Sequence, residues 1–196
     1  MFWLILAIAL WGTAHSLLAS ARIKDLLDRA FGNGFMKFYR LFYNIYAVIS
    51  ILPVLYLMVT LPDRNLYQVS APYNYLMRVG QGASLFFLFV AAFQTDLLLF
   101  AGLRQLFEEE KIGSLITGGL YHFVRHPLYT FSLLILWISP RMSLNSFIVC
   151  STLTIYVPIG IMFEERKFLR EFGKNYEEYR SVTPMLIPGL NFIWNK

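Results

Sequence analysis

Five long hydrophobic runs constrain the fold of this chain more than any other feature. They cover approximately residues 1–20, 41–61, 75–100, 127–139 and 146–163. A helix needs about 20 apolar residues to cross the hydrocarbon layer of a bilayer. The fourth run is shorter, so it spans only if residues 121–124 extend it or if it pairs with the fifth run as a hairpin. We predict an all-α, polytopic membrane bundle of about five transmembrane helices, forming a single domain over residues 1–196.

The composition agrees with a chain that has lipid as its solvent. Only 15% of the residues are charged and 57% are hydrophobic, whereas soluble domains carry about 25% charged residues. The single cysteine, Cys150, excludes an intrachain disulfide, and three scattered histidines indicate no metal site. The first run lacks a basic start and a small-residue cleavage site, so we expect a retained helix rather than a signal peptide.

The distribution of lysine and arginine predicts the orientation. Fourteen basic residues follow the first, third and fifth runs, and three lie in or near the other connections. Those three are Arg64, Arg78 and Arg141. Cytoplasmic connections carry the excess of basic residues, so we expect the N-terminus outside and the C-terminus in the cytoplasm. The net charge of +5 is thus a topology signal, and no basic, aromatic-rich cluster indicates nucleic-acid binding.

Two segments have the pattern of amphipathic helices. Residues 22–30 place apolar side chains on one side, and the sequence Gly32-Asn33-Gly34 ends the pattern. This predicts a helix along the membrane interface. Residues 161–179 have apolar positions at helical spacing, with Glu165 on the same face and charges on the other. The last spanning helix is therefore expected to continue into the cytoplasm as an amphipathic helix, followed by an irregular, proline-containing tail.

Arg125 and His126 precede Pro127 at the start of the fourth run. Proline is tolerated in the first turn of a helix, and a helix N-terminus favours anions. The alternative is that Arg125 and His126 anchor the helix at the membrane interface.

Glu164 and Glu165 form a pair of adjacent carboxylates at the inner end of the last spanning helix. Buried carboxylates are costly unless they meet a cation. That cation is either Arg125, in an ion pair between helices, or the ammonium group of a ligand. We expect Glu165 to face inward, because it precedes Phe168 and Phe172 by three and seven residues, and we interpret Glu108, Glu109 and Glu110 as a solvated helix face.

Together these two clusters resemble the isoprenylcysteine carboxyl methyltransferase and phospholipid methyltransferase superfamily. The residues that carry the resemblance, over roughly the last third of the chain, are Arg125, His126, Pro127, Tyr129, Glu164, Glu165, Phe172, Gly173, Tyr176 and Tyr179. The chain looks most like the methanethiol S-methyltransferase and NnrU-like branch. That likeness lies in Gly102-Leu103-Arg104-Gln105, in residues 183–188 and in residues 15–20. The polar residues expected before Gly102 are displaced, with Gln94 and Asp96 in their neighbourhood.

The resemblance implies methyl transfer from S-adenosylmethionine, at the cytoplasmic face, to a small or lipophilic thiol, carboxylate or amine taken from the surrounding membrane lipid. A carboxylate suits the ammonium of the donor, arginine and histidine suit its carboxylate, and aromatic faces suit its sulfonium. The implied cofactor-binding residues are Arg125, His126, Tyr129, Glu164, Glu165, Tyr176 and Tyr179. Arg125 and His126 are also the implied catalytic residues, His126 as a base where the acceptor needs one.

Two other functions stay open. The first is a haem-dependent isomerase relative of the NnrU type, with His15, His122 or His126 as axial ligand. The second is a non-catalytic membrane subunit. We interpret His15 as a residue that hydrogen-bonds between helices, His122 as an interfacial residue, and Gly80-Gln81-Gly82 as a site of close helix packing.

Overall fold

The structure is a computed structural model that describes residues 2–95, 103–104 and 114–190. Its helices are α1 (Phe2–Ala19), α2 (Ala21–Ser50), α3 (Leu52–Thr60), α4 (Tyr73–Gln94), α5 (Leu120–Phe123), α6 (Pro127–Trp137), α7 (Leu144–Phe172) and α8 (Lys174–Val182). Two short strands, β1 (Asn65–Gln68) and β2 (Arg141–Ser143), pair with each other. Asp96, Gly102, Gln105 and the acidic residues Glu108, Glu109 and Glu110 lie outside the described residues.

The prediction of an all-α membrane bundle is confirmed. Within the described ranges, four helical segments are long and apolar enough to cross a bilayer: Phe2–Ala19, Gly34–Thr60, Tyr73–Gln94 and Leu144–Phe172. Helix α6 has 11 residues and is therefore about 16 Å long, well short of a hydrocarbon core of about 30 Å. The protein is a multi-pass integral membrane protein.

The described residues form two compact units. The first contains α1, α2, α3 and the start of α7, as far as Thr152. The second contains α4, α5, α6, the remainder of α7, α8 and the tail.

In the first unit, hydrogen bonds join α1 to α2. The hydroxyl of Tyr43 lies 2.7 Å from Nε2 of His15, and the hydroxyl of Tyr39 donates to the carbonyl of Leu18. The interpretation of His15 as a helix–helix hydrogen-bonding residue is confirmed. Helix α2 breaks at Gly32, whose φ of 72° lies in the left-handed region that glycine adopts without strain. The break ends the amphipathic segment where the glycines predicted it.

Also in the first unit, Asp63 fixes the start of α7. Its Oδ1 accepts hydrogen bonds from the N–H groups of Arg64 (2.8 Å) and Asn145 (3.0 Å). The first N–H groups of a helix have no partner within the helix, so Asp63 acts as its cap. The fully buried Asn145 donates through Nδ2 to the carbonyls of Met58 and Leu61. These bonds tie the end of α3 to the beginning of α7.

In the second unit, α6 and the residues before it run antiparallel to α4. The contacts pair Gly80 with Ile138, Gln81 with Ile135, Phe87 with Phe131, and Gln94 with Leu120. Along α4 the residue numbers increase while those of the contacting residues decrease. The segment from Leu120 to Ile138 therefore runs antiparallel to α4 along its length. A methyl group on Gly80 would stand 3.3 Å from Cγ2 of Ile138, which confirms that this glycine is a close-packing site. The prediction was wrong for Gly82, where a methyl group would meet no atom within 4 Å.

The last helical region differs from its prediction in one respect. The spanning helix was expected to continue without interruption, but it ends at Phe172, and Gly173, with φ of 54°, separates α7 from α8. The predicted amphipathic face is nevertheless confirmed across the break. Ile161, Glu165, Tyr176 and Tyr179 are buried, while the charged residues between them, from Arg166 to Glu178, are exposed.

We predict that Asp63→Ala lowers the free energy of unfolding by about 1 kcal/mol at pH 7, the usual cost of losing a helix cap. Burial acts to raise the pKa of Asp63, but hydrogen bonds from Ser143 and from three backbone N–H groups outweigh it and hold the pKa below its ordinary value of 3.8. A depressed pKa gives stability that is present above the unfolded-state pKa and lost as the pH falls below it. The difference in the free energy of unfolding between wild type and Asp63→Ala should therefore become smaller below about pH 4.

Unfolding in detergent mixtures at pH 7 and pH 3 measures both effects. Asp25→Ala is the control, because Asp25 is exposed inside α2 and alanine favours a helix interior. An equal loss of stability in the two variants at pH 7 would contradict the assignment of Asp63 as a cap.

Candidate functional site

Arg125 and His126 lie in a short non-helical segment between α5 and α6. Val124 is extended and His126 has φ of −128° and ψ of 63°. Proline disfavours helical geometry in the residue before it, so Pro127 accounts for the break at His126. The freed backbone N–H groups of Arg125 and His126 donate to the carbonyls of Pro184 (2.8 Å) and Met185 (3.2 Å). The tail after α8 is thereby held along this segment.

The buried guanidinium of Arg125 joins three parts of the second unit. Its Nε and Nη2 both lie 2.8 Å from Oε1 of Glu165 on α7. Its Nη1 donates to the carbonyls of Arg180 on α8 (3.0 Å) and Thr183 at the start of the tail (2.6 Å). Hydrogen bonds between charged groups are about twice as strong as neutral ones. The cation that meets Glu165 is therefore Arg125, one of the two possibilities that the sequence left open.

The imidazole of His126 lies between the two adjacent carboxylates. Its Nε2 is 3.2 Å from Oε1 of Glu165, and its Nδ1 is 3.6 Å from Oε2 of Glu164. Nε2 is therefore within hydrogen-bond distance of Glu165, whereas Nδ1 is beyond hydrogen-bond distance of Glu164. The ring of Tyr129 stands 5.9 Å from the imidazole, at an angle of 43°.

The two carboxylates have different surroundings. The side chain of Glu165 is 11% exposed, and that of Glu164 is 38% exposed. Oε2 of Glu164 is nevertheless buried and accepts no hydrogen bond from the residues that the structure describes. A buried acceptor without a donor costs about 1–3 kcal/mol. Glu164 is thus the carboxylate that a cationic ligand could satisfy, since Glu165 already has Arg125.

Two buried tyrosines on α8 line the same cluster. The hydroxyl of Tyr179 donates to the carbonyl of Tyr121, and burial raises the pKa of Tyr179 to about 12. The hydroxyl of Tyr176 is buried and makes no hydrogen bond of ordinary geometry to any described residue. Burial, and then the charge of Glu165, raise the pKa of Tyr176. Both hydroxyls are therefore protonated at physiological pH, and that of Tyr176 lies near the carboxylate of Glu165.

The structure places all seven candidate residues in the second unit. Four of them are in direct contact: Arg125, His126, Glu164 and Glu165. The ring of Tyr129 lies beside that of His126, and the ring centroids of Tyr176 and Tyr179 are 6.1 Å apart. The expectation that Glu165 faces inward is confirmed by its burial. Of the other histidines, His122 is exposed beside Phe123, and Nε2 of His15 contacts Tyr43.

Sequence reasoning missed the contribution of the tail backbone. Thr130 adds to it, because its hydroxyl donates to the carbonyl of Leu186 (2.8 Å). Main-chain carbonyls exist at every position, so no residue type in the tail could have indicated these contacts. The proline-rich composition gave the only signal, since it predicted an irregular segment.

A family model described as "NnrU protein" matches residues 3–190. Curated relatives match shorter segments. A "Methanethiol S-methyltransferase" of Crocosphaera subtropica is 40% identical over 92 residues, which is 44% of this chain and 36% of the relative. A "Methanethiol S-methyltransferase 2" of Bradyrhizobium diazoefficiens is 39% identical over 95 residues, 45% of this chain and 36% of the relative.

A third relative, a "Methanethiol S-methyltransferase" of Pseudomonas deceptionensis, is 38% identical over 78 residues, 40% of this chain and 30% of the relative. The matched part of the chain thus spans about a third of the length of these relatives. No solved structure matches the chain at a significant level. These matches confirm the resemblance to the NnrU-like and methanethiol S-methyltransferase branch.

We predict that Glu165→Gln lowers the free energy of unfolding by about 3–5 kcal/mol, because it leaves the buried guanidinium of Arg125 without its counter-charge. The matched control is Glu171→Gln on the same helix. Glu171 pairs with Lys167 at 3.4 Å, with side chains 33% and 49% exposed, and a surface pair of this kind contributes less than about 1 kcal/mol. Unfolding in detergent mixtures measures the stability of both variants. Equal losses in the free energy of unfolding would contradict a buried ion pair between Arg125 and Glu165.

Proposed function

The chain belongs to the NnrU family, and from this premise we propose that it is a membrane-embedded methyltransferase that uses S-adenosylmethionine as its methyl donor. The relatives named methanethiol S-methyltransferase supply the reaction class. The observation that carries the proposal is the buried Oε2 of Glu164 beside His126, which accepts no hydrogen bond from any described residue.

These residues fit the donor by their chemistry. Its ammonium needs a carboxylate acceptor, and Glu164 offers one that Arg125 does not neutralise. Its sulfonium is attracted to aromatic faces, and Tyr129, Tyr176 and Tyr179 supply three. When bound, S-adenosylmethionine presents a methyl group on a positively charged sulfur, which an electron-rich acceptor attacks directly.

We assign different roles to the two carboxylates. Glu164 binds the ammonium, and Glu165 holds Arg125 and His126 in place. Arg125 already directs both Nη1 donors at backbone carbonyls and Nε and Nη2 at Glu165. Its part is therefore mainly to hold the tail against the site. His126 lies beside Glu164 without a hydrogen bond to it, and it is the group positioned to take a proton if the acceptor carries one.

The proposed acceptor is a small or lipophilic thiol, carboxylate or amine. The protein's contribution is to align that group with the methyl carbon and to exclude water. A thiolate or carboxylate needs no base, whereas an amine or thiol gives up a proton, for which His126 is the candidate. Because the family match covers both units, we also propose that residues 1–196 act as one functional domain.

We further propose that the site faces the cytoplasm, with the N-terminus outside. The strands β1 and β2, one in the connection after α3 and one in the connection after α6, pair with each other, and both connections carry few basic residues. The residues from Leu120 to Ile138 retrace α4, which supports a fifth crossing made by α6 together with the segment before it. Five crossings place the basic C-terminal part on the cytoplasmic side.

We predict that the purified protein binds S-adenosylmethionine with a Kd in the micromolar range, about −8 kcal/mol. Glu164→Gln should weaken binding by about tenfold or more, because a charge-assisted hydrogen bond contributes about 1.5–3 kcal/mol. Glu171→Gln should bind like wild type. Calorimetry measures the affinity, and transfer of labelled methyl to methanethiol or to extracted lipid identifies the acceptor. A stoichiometric haem absorbance band, with no heat from S-adenosylmethionine, would favour the isomerase alternative instead.

We predict that reporters fused after Lys196 and inside the 62–72 loop lie on opposite sides of the membrane. The C-terminal reporter should be cytoplasmic. If both reporters are found on one side, an even number of crossings separates them and α6 does not contribute to a span.

A further inference from the structure

Gln94, the last residue of α4, supports the turn that leads to Arg125. Its Oε1 accepts the backbone N–H of Leu120 at 3.0 Å. Leu120 is the first residue of α5, and Gly119 at the cap position has no side chain to accept a hydrogen bond. The first N–H groups of a helix need such an acceptor. Gln94, from a different helix, supplies it.

Gly119 is shaped to receive the amide of Gln94. A methyl group on Gly119 would stand 2.0 Å from Nε2 and 2.6 Å from Cδ of Gln94, far inside contact distance. The φ of Gly119 is 61°, a conformation that favours glycine. Both the backbone conformation and the space therefore require glycine where the amide of Gln94 lies.

The turn is also held from the opposite side. The hydroxyl of Tyr179 on α8 donates to the carbonyl of Tyr121. Residues 119–123 are thus fixed by α4 through Gln94 and by α8 through Tyr179. Only Val124 separates this turn from Arg125 and His126, so a displacement of the turn passes directly to both residues.

We infer that Gln94 is a positioning residue for the Arg125–His126 pair. It acts through Gly119 and Leu120 on the backbone, and makes no described contact with either side chain. The consequence for ligand affinity rests on the proposed function, since His126 lies beside Glu164 in the proposed site. The effect of Gln94 on the backbone of residues 119–126 does not depend on the proposed function.

Helix α4 provides a matched control. Gln81 is also a glutamine on α4, and its Nε2 donates to the carbonyl of Ile135 at 3.0 Å. It stabilises the pairing of α4 with α6 but lies far along the helix from the turn. A general loss of stability should affect Gln81 and Gln94 variants alike, whereas a positioning effect should appear only with Gln94.

Hydrogen exchange measured by mass spectrometry tests the inference in the intact protein. In Gln94→Met, which keeps the length but removes the acceptor, peptides covering residues 119–126 should exchange about tenfold faster. Gln81→Met should leave these peptides unchanged. Gln94→Glu retains the acceptor oxygen and should restore protection. Unchanged exchange in Gln94→Met, or an equal increase in Gln81→Met, would overturn the inference.

Calorimetry with S-adenosylmethionine gives the second measurement. Gln94→Met should weaken binding by about three- to tenfold, and Gln94→Glu should not. If wild type shows no binding, the proposed function fails while the exchange data still decide the role of Gln94. Gly119→Ala provides an independent variant if Gln94→Met does not fold. It should displace the amide and raise exchange in the same peptides, and unchanged exchange there would also overturn the inference.

Discussion

The candidate site depends on one buried cation. A guanidinium removed from water costs several kcal/mol unless its donors are satisfied, and Arg125 meets that requirement with one carboxylate and two main-chain carbonyls. Each partner lies on a different element: α7, the end of α8, and the start of the tail. These elements can only approach one another in an arrangement that surrounds the cation. The guanidinium thus holds α7, the end of α8 and the tail together around the site.

The same ion pair explains why two neighbouring glutamates differ. Successive residues of a helix point about 100° apart, so α7 can direct Glu165 at Arg125 while Glu164 projects beside His126 and toward solvent. Glu165 is then neutralised within the protein, whereas Oε2 of Glu164 accepts no hydrogen bond from any described residue. In the proposed site, Glu165 holds the geometry and Glu164 attracts the ligand.

Much of the fold could be predicted from the pattern of residue types. Hydrophobic length indicated the spans, glycines indicated the break at Gly32, and helical spacing indicated the buried face that contains Glu165, Tyr176 and Tyr179. The break at Gly173 was missed because the apolar spacing continues through it. The pairing of Arg125 with Glu165 could be stated only as one of two alternatives, since charge alone does not tell a protein partner from a ligand. The role of Gln94 had no local signal, because its partner is a backbone N–H 26 positions away.

The contacts of Arg125 and His126 with the tail have a consequence for how this fold can diversify. The guanidinium and both backbone N–H groups recognise main-chain carbonyls of Arg180, Thr183, Pro184 and Met185, and a carbonyl is present whatever the side chain. The path of the tail is therefore held by main-chain groups. Ile187, whose side chain is exposed, is the position where a substitution changes the surface without touching these contacts, whereas Met185 and Leu186 are half-buried.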